Sequence, residues 1–436
     1  MRTLIALLLC CPALALRPCS AASGPVPGPL TLGQTIDAVL AQYPSLEAAR
    51  AAVDAAAGRT ARSDASRGLQ ATLGGGYTYM SLRPYVAIGN LALYETVQDN
   101  YGATLTLRQL LTDFGRTDAA VELARSGEIT ARDALTEVRI QLGYEAIQGF
   151  YGTLLLRESV GVAEDDIRAL EEALRISEKR FAGGTATKFD LLTTRVHLAA
   201  ARNRLADTRA SLEKQEALLR QLLGRDPGSP LELSGDFGAD FQVPDVSEAI
   251  AEGLRERPEM KLAKDAEETA QLRLSAAERE DRPVVAAQAT GGVANGYLPD
   301  MYDRKGYVTA GVTVSVPILT GGRTAGEKAE ARADLRAALA DGSEAGRQVA
   351  TDVESAIADL KAAKARLDNA DTLVSQAREA LALARSRYSN GVVTNFELLD
   401  AQSDEHSSEL SRLQARYDCT LARQAVARAS GLPPSP

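Results

Sequence analysis

The stretch Arg180-Phe181-Ala182-Gly183-Gly184-Thr185-Ala186-Thr187-Lys188-Phe189-Asp190-Leu191-Leu192 returns, 207 positions later, as Arg387-Tyr388-Ser389-Asn390-Gly391-Val392-Val393-Thr394-Asn395-Phe396-Glu397-Leu398-Leu399. A second pair keeps the same offset: Leu105 through Thr117 answers Val312 through Thr324, with Gly115-Arg116-Thr117 matched by Gly322-Arg323-Thr324. No net insertion separates the two landmarks in either half, so the chain is a tandem duplication. So long a period exceeds any solenoid unit and points to two similar halves about a pseudo-symmetry axis.

Outward from each landmark the residues read as long helices. Proline is absent between Pro84 and Pro227 and again between Pro317 and Pro433, and both gaps are filled with Ala, Leu, Arg, Glu and Gln, the strongest helix formers. Val160, Ala163, Ile167, Leu170, Leu174, Ser177 and Phe181 follow 3/4 spacing, as do Ala120, Ala124, Gly127, Ala131, Ala134 and Val138. Val353, Ala356, Leu360, Ala363, Leu367, Ala370, Val374, Ala377, Leu381, Ala384 and Tyr388 repeat the pattern in the second half. These are coiled-coil seams with an Ala-rich stripe. Beyond each glycine turn a further helix is expected, with Leu191, Leu198, Leu205, Leu212 and Leu219 recurring every seven residues and Leu399, His406 and Leu413 doing likewise. A single helix from Gly115 to Phe181 would reach roughly 100 Å, so antiparallel helix pairs turning at Gly183-Gly184 and Asn390-Gly391 are predicted.

Before each long helix the period changes to two. Leu69, Ala71, Leu73, Gly75, Tyr77 and Tyr79 alternate with polar or small residues, as do Tyr101, Ala103, Leu105 and Leu107. Val285, Ala287, Ala289, Gly291 and Val293 do the same in the second half, with Val308, Ala310, Val312, Val314 and Val316. Each run has the length of a tilted membrane strand with one lipid face and one lumen face. Four strands cannot close a membrane barrel, whose smallest single-chain form has about eight, so several chains must share one.

The remainder sets the compartment. Arg2, the apolar run from Leu4 to Leu9 and the small residues Ser20-Ala21-Ala22-Ser23 read as a secretory signal peptide cut near Ala21 or Ala22. Cys10, Cys11 and Cys19 lie within it, which leaves Cys419 alone and no intrachain disulfide; Leu16-Arg17-Pro18 before Cys19 departs from a lipobox, where a small residue precedes the cysteine. The net charge of −9 argues against a nucleic-acid partner. Beyond the signal no apolar stretch reaches the ~20 residues of a membrane helix, so entry into a membrane would be by β-strands. The expected layout is a signal peptide at 1–22, a flexible leader at 23–31, a first repeat at 32–223, an inter-repeat linker at 224–247, a second repeat at 248–431 and a tail at 432–436. Within the repeats, the hairpins are placed at about 69–111 and 284–317, the long helices at about 115–181 and 323–388, and the tips at 182–188 and 389–395, with return helices running to 223 and 430.

This order of elements resembles the outer-membrane efflux protein family, the TolC-type channels. The likeness is carried by the two tip motifs, by the strand-to-helix entries Leu111-Thr112-Asp113-Phe114-Gly115-Arg116 and Ile318-Leu319-Thr320-Gly321-Gly322-Arg323, and by Leu32 through Leu40 with Tyr43-Pro44, weakly echoed by Glu248-Ala249-Ile250 and Arg257-Pro258. It implies a mostly helical protomer with four β-strands, and a homotrimer whose strands form an α/β barrel in the outer membrane of a Gram-negative bacterium and extend into the periplasm. The implied role is a passive exit duct, joined through a periplasmic adaptor to an inner-membrane pump or ABC transporter, with no catalytic chemistry and no cofactor. It also implies that Arg180, Phe181, Gly183, Gly184, Arg387, Asn390 and Gly391 form adaptor-docking tips. Glu397 and Asp400, spaced i,i+3 on one face, match the family's paired acids at the entrance. Asp190 matches Glu397 in the first repeat, but Thr193 replaces the second acid. Tyr388 matches a latch tyrosine, whereas Val393 stands where some relatives carry the latch arginine.

Plainer readings stand beside these. Acids at a helix start stabilise the macrodipole, aromatic residues at a turn can simply pack it, and Gly183, Gly184 and Gly391 can serve only to supply positive φ. His197 and His406 lack the neighbouring ligands of a metal site. Gly74-Gly75-Gly76 lies within a strand, not between a strand and a helix, and so is no phosphate loop. A secreted or periplasmic coiled-coil scaffold or adhesin without a pore is the competing class, and the four alternating strands separate the two.

Overall fold

The computed structural model describes residues 28–237, 242–297 and 300–433. The predicted signal peptide, with Cys10, Cys11 and Cys19, and most of the leader lie outside the described residues. Helix α1 (Leu32–Gln42) opens on a capping box, Thr31 with Gln34, and α2 (Pro44–Ala65) carries proline at its first turn, where no N–H is missed. Strand β1 (Gln70–Tyr79), the short β2 (Tyr85–Ile88) and β3 (Leu91–Tyr94), and β4 (Asp99–Thr112) follow, and then α3 (Arg116–Ala182) and α4 (Lys188–Leu222). The second repeat gives α5 (Val246–Glu256), α6 (Pro258–Arg279), β5 (Val284–Ala294), β6 (Lys305–Ser315), α7 (Arg323–Ser389) and α8 (Asn395–Ala429).

Both long helices have 67 residues and both return helices 35, about 100 Å and 50 Å at 1.5 Å per residue. A return helix therefore covers only half of its long partner. The other half is covered by the shorter helices, α2 and α6 on α3 and α5 and α6 on α7. The change of partner moves the buried face of α3. Its upper part buries Ala119, Val121 and Ser126, with Ala120 exposed, so the predicted small-residue stripe through Ala120 and Ala124 is offset from the face that packs. Ser126 instead shares a hydroxyl hydrogen bond of 2.6 Å with Thr269 of α6. On α7 the seam holds, with Val353, Leu360, Ala363, Ala370, Val374, Leu381 and Tyr388 all buried.

Two stretches expected to be loose are packed. Leu30, in the predicted leader, is 1% exposed, and it exchanges backbone hydrogen bonds of 2.8 and 2.9 Å with the Glu232 carbonyl and the Ser234 N–H. Leu231 and Phe237 of the predicted linker are buried in the same cluster. Phe237 stacks on Tyr151 of α3 and meets Tyr417 of α8 edge-on, at centroid distances of 5.9 and 6.5 Å. The apolar side chains in this Gly- and Pro-rich run decide its docking, and the connection becomes a strap binding one repeat to the other.

Candidate functional site

The four long strands form one antiparallel sheet in the order β1-β4-β5-β6, with β1 and β6 at open edges. Register sorts the side chains of the central rows by polarity. Leu73 pairs with Leu105, Leu105 with Gly291 and Gly291 with Val308; one step along, Thr72, Thr106, Thr290 and Thr309 form a row across all four strands. Successive residues of a strand point to opposite faces. Over its central rows one face is therefore apolar from edge to edge, with Asp99 and Gln109 only toward the two ends of β4, and Leu73 stands 79% exposed on it. The other carries the threonine row, in which the Thr106 and Thr290 hydroxyls are 3.3 Å apart, and the row Gln70, Arg108, Gln288 and Gly311. An exposed apolar sheet face backed by a polar one is the construction of a membrane wall around water, and a pore-free scaffold has no use for it.

At the far end of the long helices the two turns share one device. Gly184 and Gly391 take φ of 76° and 74°, while the residues before them, Gly183 and Asn390, close the helices at −82° and −88°. Gly183 thus does not supply positive φ as expected, and asparagine serves equally in its place. The bonds from Thr185 N–H to the Arg180 carbonyl (2.8 Å) and from Val392 N–H to the Arg387 carbonyl (2.9 Å) satisfy the last carbonyls in the Schellman manner. Each return helix then opens on a capping box. The Asp190 carboxylate accepts from Thr187 N–H and hydroxyl at 2.9 and 2.7 Å, and Glu397 accepts from those of Thr394 at 2.7 and 3.1 Å. Both acids are therefore helix caps, whatever else they do. Asp400, one turn on, is exposed.

The structure brings the two turns together through residues whose pairing the sequence did not disclose. Asn395, at the first position of α8, is 4% exposed, and its Nδ2 donates to the Asp190 carbonyl (3.2 Å) and to the Thr194 hydroxyl (3.0 Å); the Ser177 hydroxyl lies 3.5 Å from its Oδ1. The Arg180 guanidinium sits 4.4 Å over the Tyr388 ring. Tyr388 is itself buried with Leu381 and Leu398, and Val393 packs against them. The position of the missing latch arginine is thus apolar filling, and a cation from the other repeat covers the tyrosine. The one available signal was asymmetry: the repeat equivalent of Asn395 is Lys188. Phe189, Phe396 and Val392 stand exposed around this junction, with Phe181 less so.

Two further clusters lie along the helices. Glu409 of α8 bridges Arg378 of α7 and Arg412. Nearby His406 is half-buried, with no hydrogen bond to its Nδ1. Where α6 meets α3, burial first, and then the facing carboxyl of Asp133, push Asp265 up to about 6. Among the described residues no group of three or more His, Cys, Asp or Glu is arranged to hold a metal ion.

Known proteins match this architecture throughout. The family model for outer membrane efflux proteins matches residues 35–225 and 249–432. The chain is 26% identical to the alkaline protease secretion protein AprF of Pseudomonas aeruginosa, over 74% of this chain and 68% of that one. It is 25% identical to the outer membrane efflux protein BepC of Brucella suis, over 78% and 75%. Among solved structures, the outer membrane protein VceC of Vibrio cholerae superposes with a TM-score of 0.77 at 22% identity, covering 93% of this chain and 97% of that one. The CmeC outer membrane channel of Campylobacter jejuni gives 0.79 at 15%, covering 93% and 87%. Sheet, helix pairs and doubled family match agree, and the chain belongs to the outer membrane efflux protein family, the TolC-type channels.

Proposed function

We propose that this outer-membrane efflux channel works as a homotrimer whose entrance is closed at the Gly184 and Gly391 turns. The observation that carries the reading is the four-stranded sheet with two open edges and, across its central rows, one apolar face and one threonine-bearing face. Unpaired edges within lipid are costly, so β6 of one copy pairs with β1 of the next. Three copies close a barrel of about twelve strands, within the size range of membrane barrels. The threonine face lines the water and the helices continue the duct.

In this assembly the Glu397 and Asp400 carboxylates of the three copies surround the entrance as a cation-attracting constriction, with Tyr388 beneath them and Asp190 on the outer hairpin. Asn395 and the Arg180–Tyr388 stack hold the α7–α8 hairpin to the α3–α4 hairpin in the closed position. The exposed tips, from Arg180 to Gly184 and from Arg387 to Gly391, face a periplasmic adaptor that links the duct to an inner-membrane pump or ABC transporter. AprF and BepC, named for protease secretion and for efflux, support a duct of this kind. Light scattering corrected for detergent tests the assembly: a trimer mass is expected, and a monodisperse monomer would overturn the shared barrel.

A further inference from the structure

The two repeats leave the sheet through the same backbone shape but not the same residue. Phe114 and Gly321 are repeat equivalents with φ of 56° and 58°, each followed by a left-handed glycine, Gly115 at 87° and Gly322 at 86°. Glycine adopts this region freely and other residues are strained there. Phe114 is the one non-glycine among the described residues that occupies it. Glycine would serve the turn, as it does in the second repeat, so the phenylalanine is there for its ring. That ring does not enter the core, being 51% exposed. The turn beneath it is held firmly. Arg282 donates to the Phe114 carbonyl and Arg279 to that of Gly115, while the Asp113 carboxylate accepts from the N–H groups of Gly115 and Thr117 at 3.2 and 2.7 Å.

Position indicates what the ring meets. Phe114 stands two residues past the end of β4, and β4 lies inside the sheet, away from the β1 and β6 edges where a neighbouring copy pairs. Leu111, the residue skipped where the register shifts between Leu110 and Thr112, is exposed as well. At the opposite end of the strands, Tyr77, Tyr79 and Tyr101 stand on the apolar face. Membrane barrels set their depth with aromatic rings at both water interfaces.

We infer that Phe114 is a lipid anchor whose ring lies at the acyl–headgroup boundary of the leaflet nearer the long helices, and that phospholipid is its partner. The inference rests on the membrane reading of the strands, and the test separates the two. The chain has no tryptophan, so Phe114→Trp and Leu73→Trp are each single fluorescent reporters in proteoliposomes of phosphatidylcholine brominated either near the headgroup or deep in the acyl chain. Emission from Phe114→Trp should be quenched more by shallow bromines, and that from Leu73→Trp more by deep ones. An unquenched Leu73→Trp would sink the membrane reading itself. An unquenched Phe114→Trp beside a quenched Leu73→Trp would overturn the anchor alone, placing the ring against water or protein. Phe114→Gly supplies the second reading. With the backbone strain relieved, it should match or exceed the parent's heat resistance in detergent and lose heat resistance in bilayers, whereas an equal loss in both would make the ring a packing residue and contradict the proposal.

Discussion

The two repeats have helices of identical length and turns of identical geometry, yet they are stabilised differently. Repeat 1 is packed around Phe150, Tyr151 and Phe237 in a cluster that, among the described residues, holds sixteen buried side chains from the leader, α1 to α4 and the strap, whereas the corresponding cluster around Val353 and Ile357 in repeat 2 holds six. At the tips the contrast lies in the polar groups. Repeat 2 contributes Asn395 and Tyr388, which meet the Asp190 carbonyl, Thr194 and Arg180 of repeat 1, and it alone carries the acid pair Glu397 and Asp400. Duplication supplied one scaffold twice, and divergence gave the first copy the larger apolar core and the second the acid pair.

The largest expected effect breaks this comparison at the core. Phe150 and Ile357 are repeat equivalents and both are buried. Phe150→Ala is expected to cost about 4 kcal/mol and Ile357→Ala about 3, since the larger ring leaves the larger cavity. Urea unfolding in detergent measures both, and a reversed order would remove the asymmetry of support.

Next in size is the buried Asn395 contact between the two hairpins. Asn395→Ala leaves the Thr194 hydroxyl and the Asp190 carbonyl without their buried donor, at a cost of about 1–3 kcal/mol, and frees the α7–α8 hairpin. Single-channel conductance in planar bilayers is expected to rise. Lys188→Ala, the equivalent change in repeat 1, alters an exposed side chain and should leave both conductance and stability within error.

Much of this was legible in the sequence, because the constant offset, the proline-free helical runs and the period-two segments each follow from backbone geometry. What stayed hidden depends on neighbours distant in sequence. Asn395 reads as an ordinary helix start until α3 and α4 close over it. The strap reads as a linker because its buried anchors, Leu231 and Phe237, are scattered among Gly, Pro and Asp. The β2–β3 hairpin was signalled by Ile88-Gly89-Asn90-Leu91, with Gly89 at φ 63°, but four-residue strands give too short a period to stand out. Among the site residues, Glu397 and Asp190 were found, while their roles as helix caps became visible only in the hydrogen bonds.

A smaller effect sharpens the contact between the repeats where α6 meets α3. Asp265 is raised to about 6, so its protonated form is favoured in the folded state. That stability is complete below the ordinary carboxyl range and is lost as pH rises through 6. Asp265→Asn removes the ionisation, and the variant is expected to exceed the parent's stability by about 1 kcal/mol above pH 7 while matching it near pH 4. Melting curves at the two pH values decide this, and a variant weaker at both would show that the carboxylate is a satisfied structural group.

The division of roles is tested most directly at the entrance. Glu397→Gln combined with Asp400→Asn should lower cation selectivity and relieve block by divalent cations in planar bilayers, with little change in melting temperature because glutamine still caps Thr394. Asp190→Asn, the matching change in repeat 1, should do neither to a comparable extent, because its partner position is Thr193. Equal effects from the two repeats, or a double variant that loses thermal stability while conducting like the parent, would contradict a constriction built by repeat 2 and leave all three acids as stabilisers of helix starts.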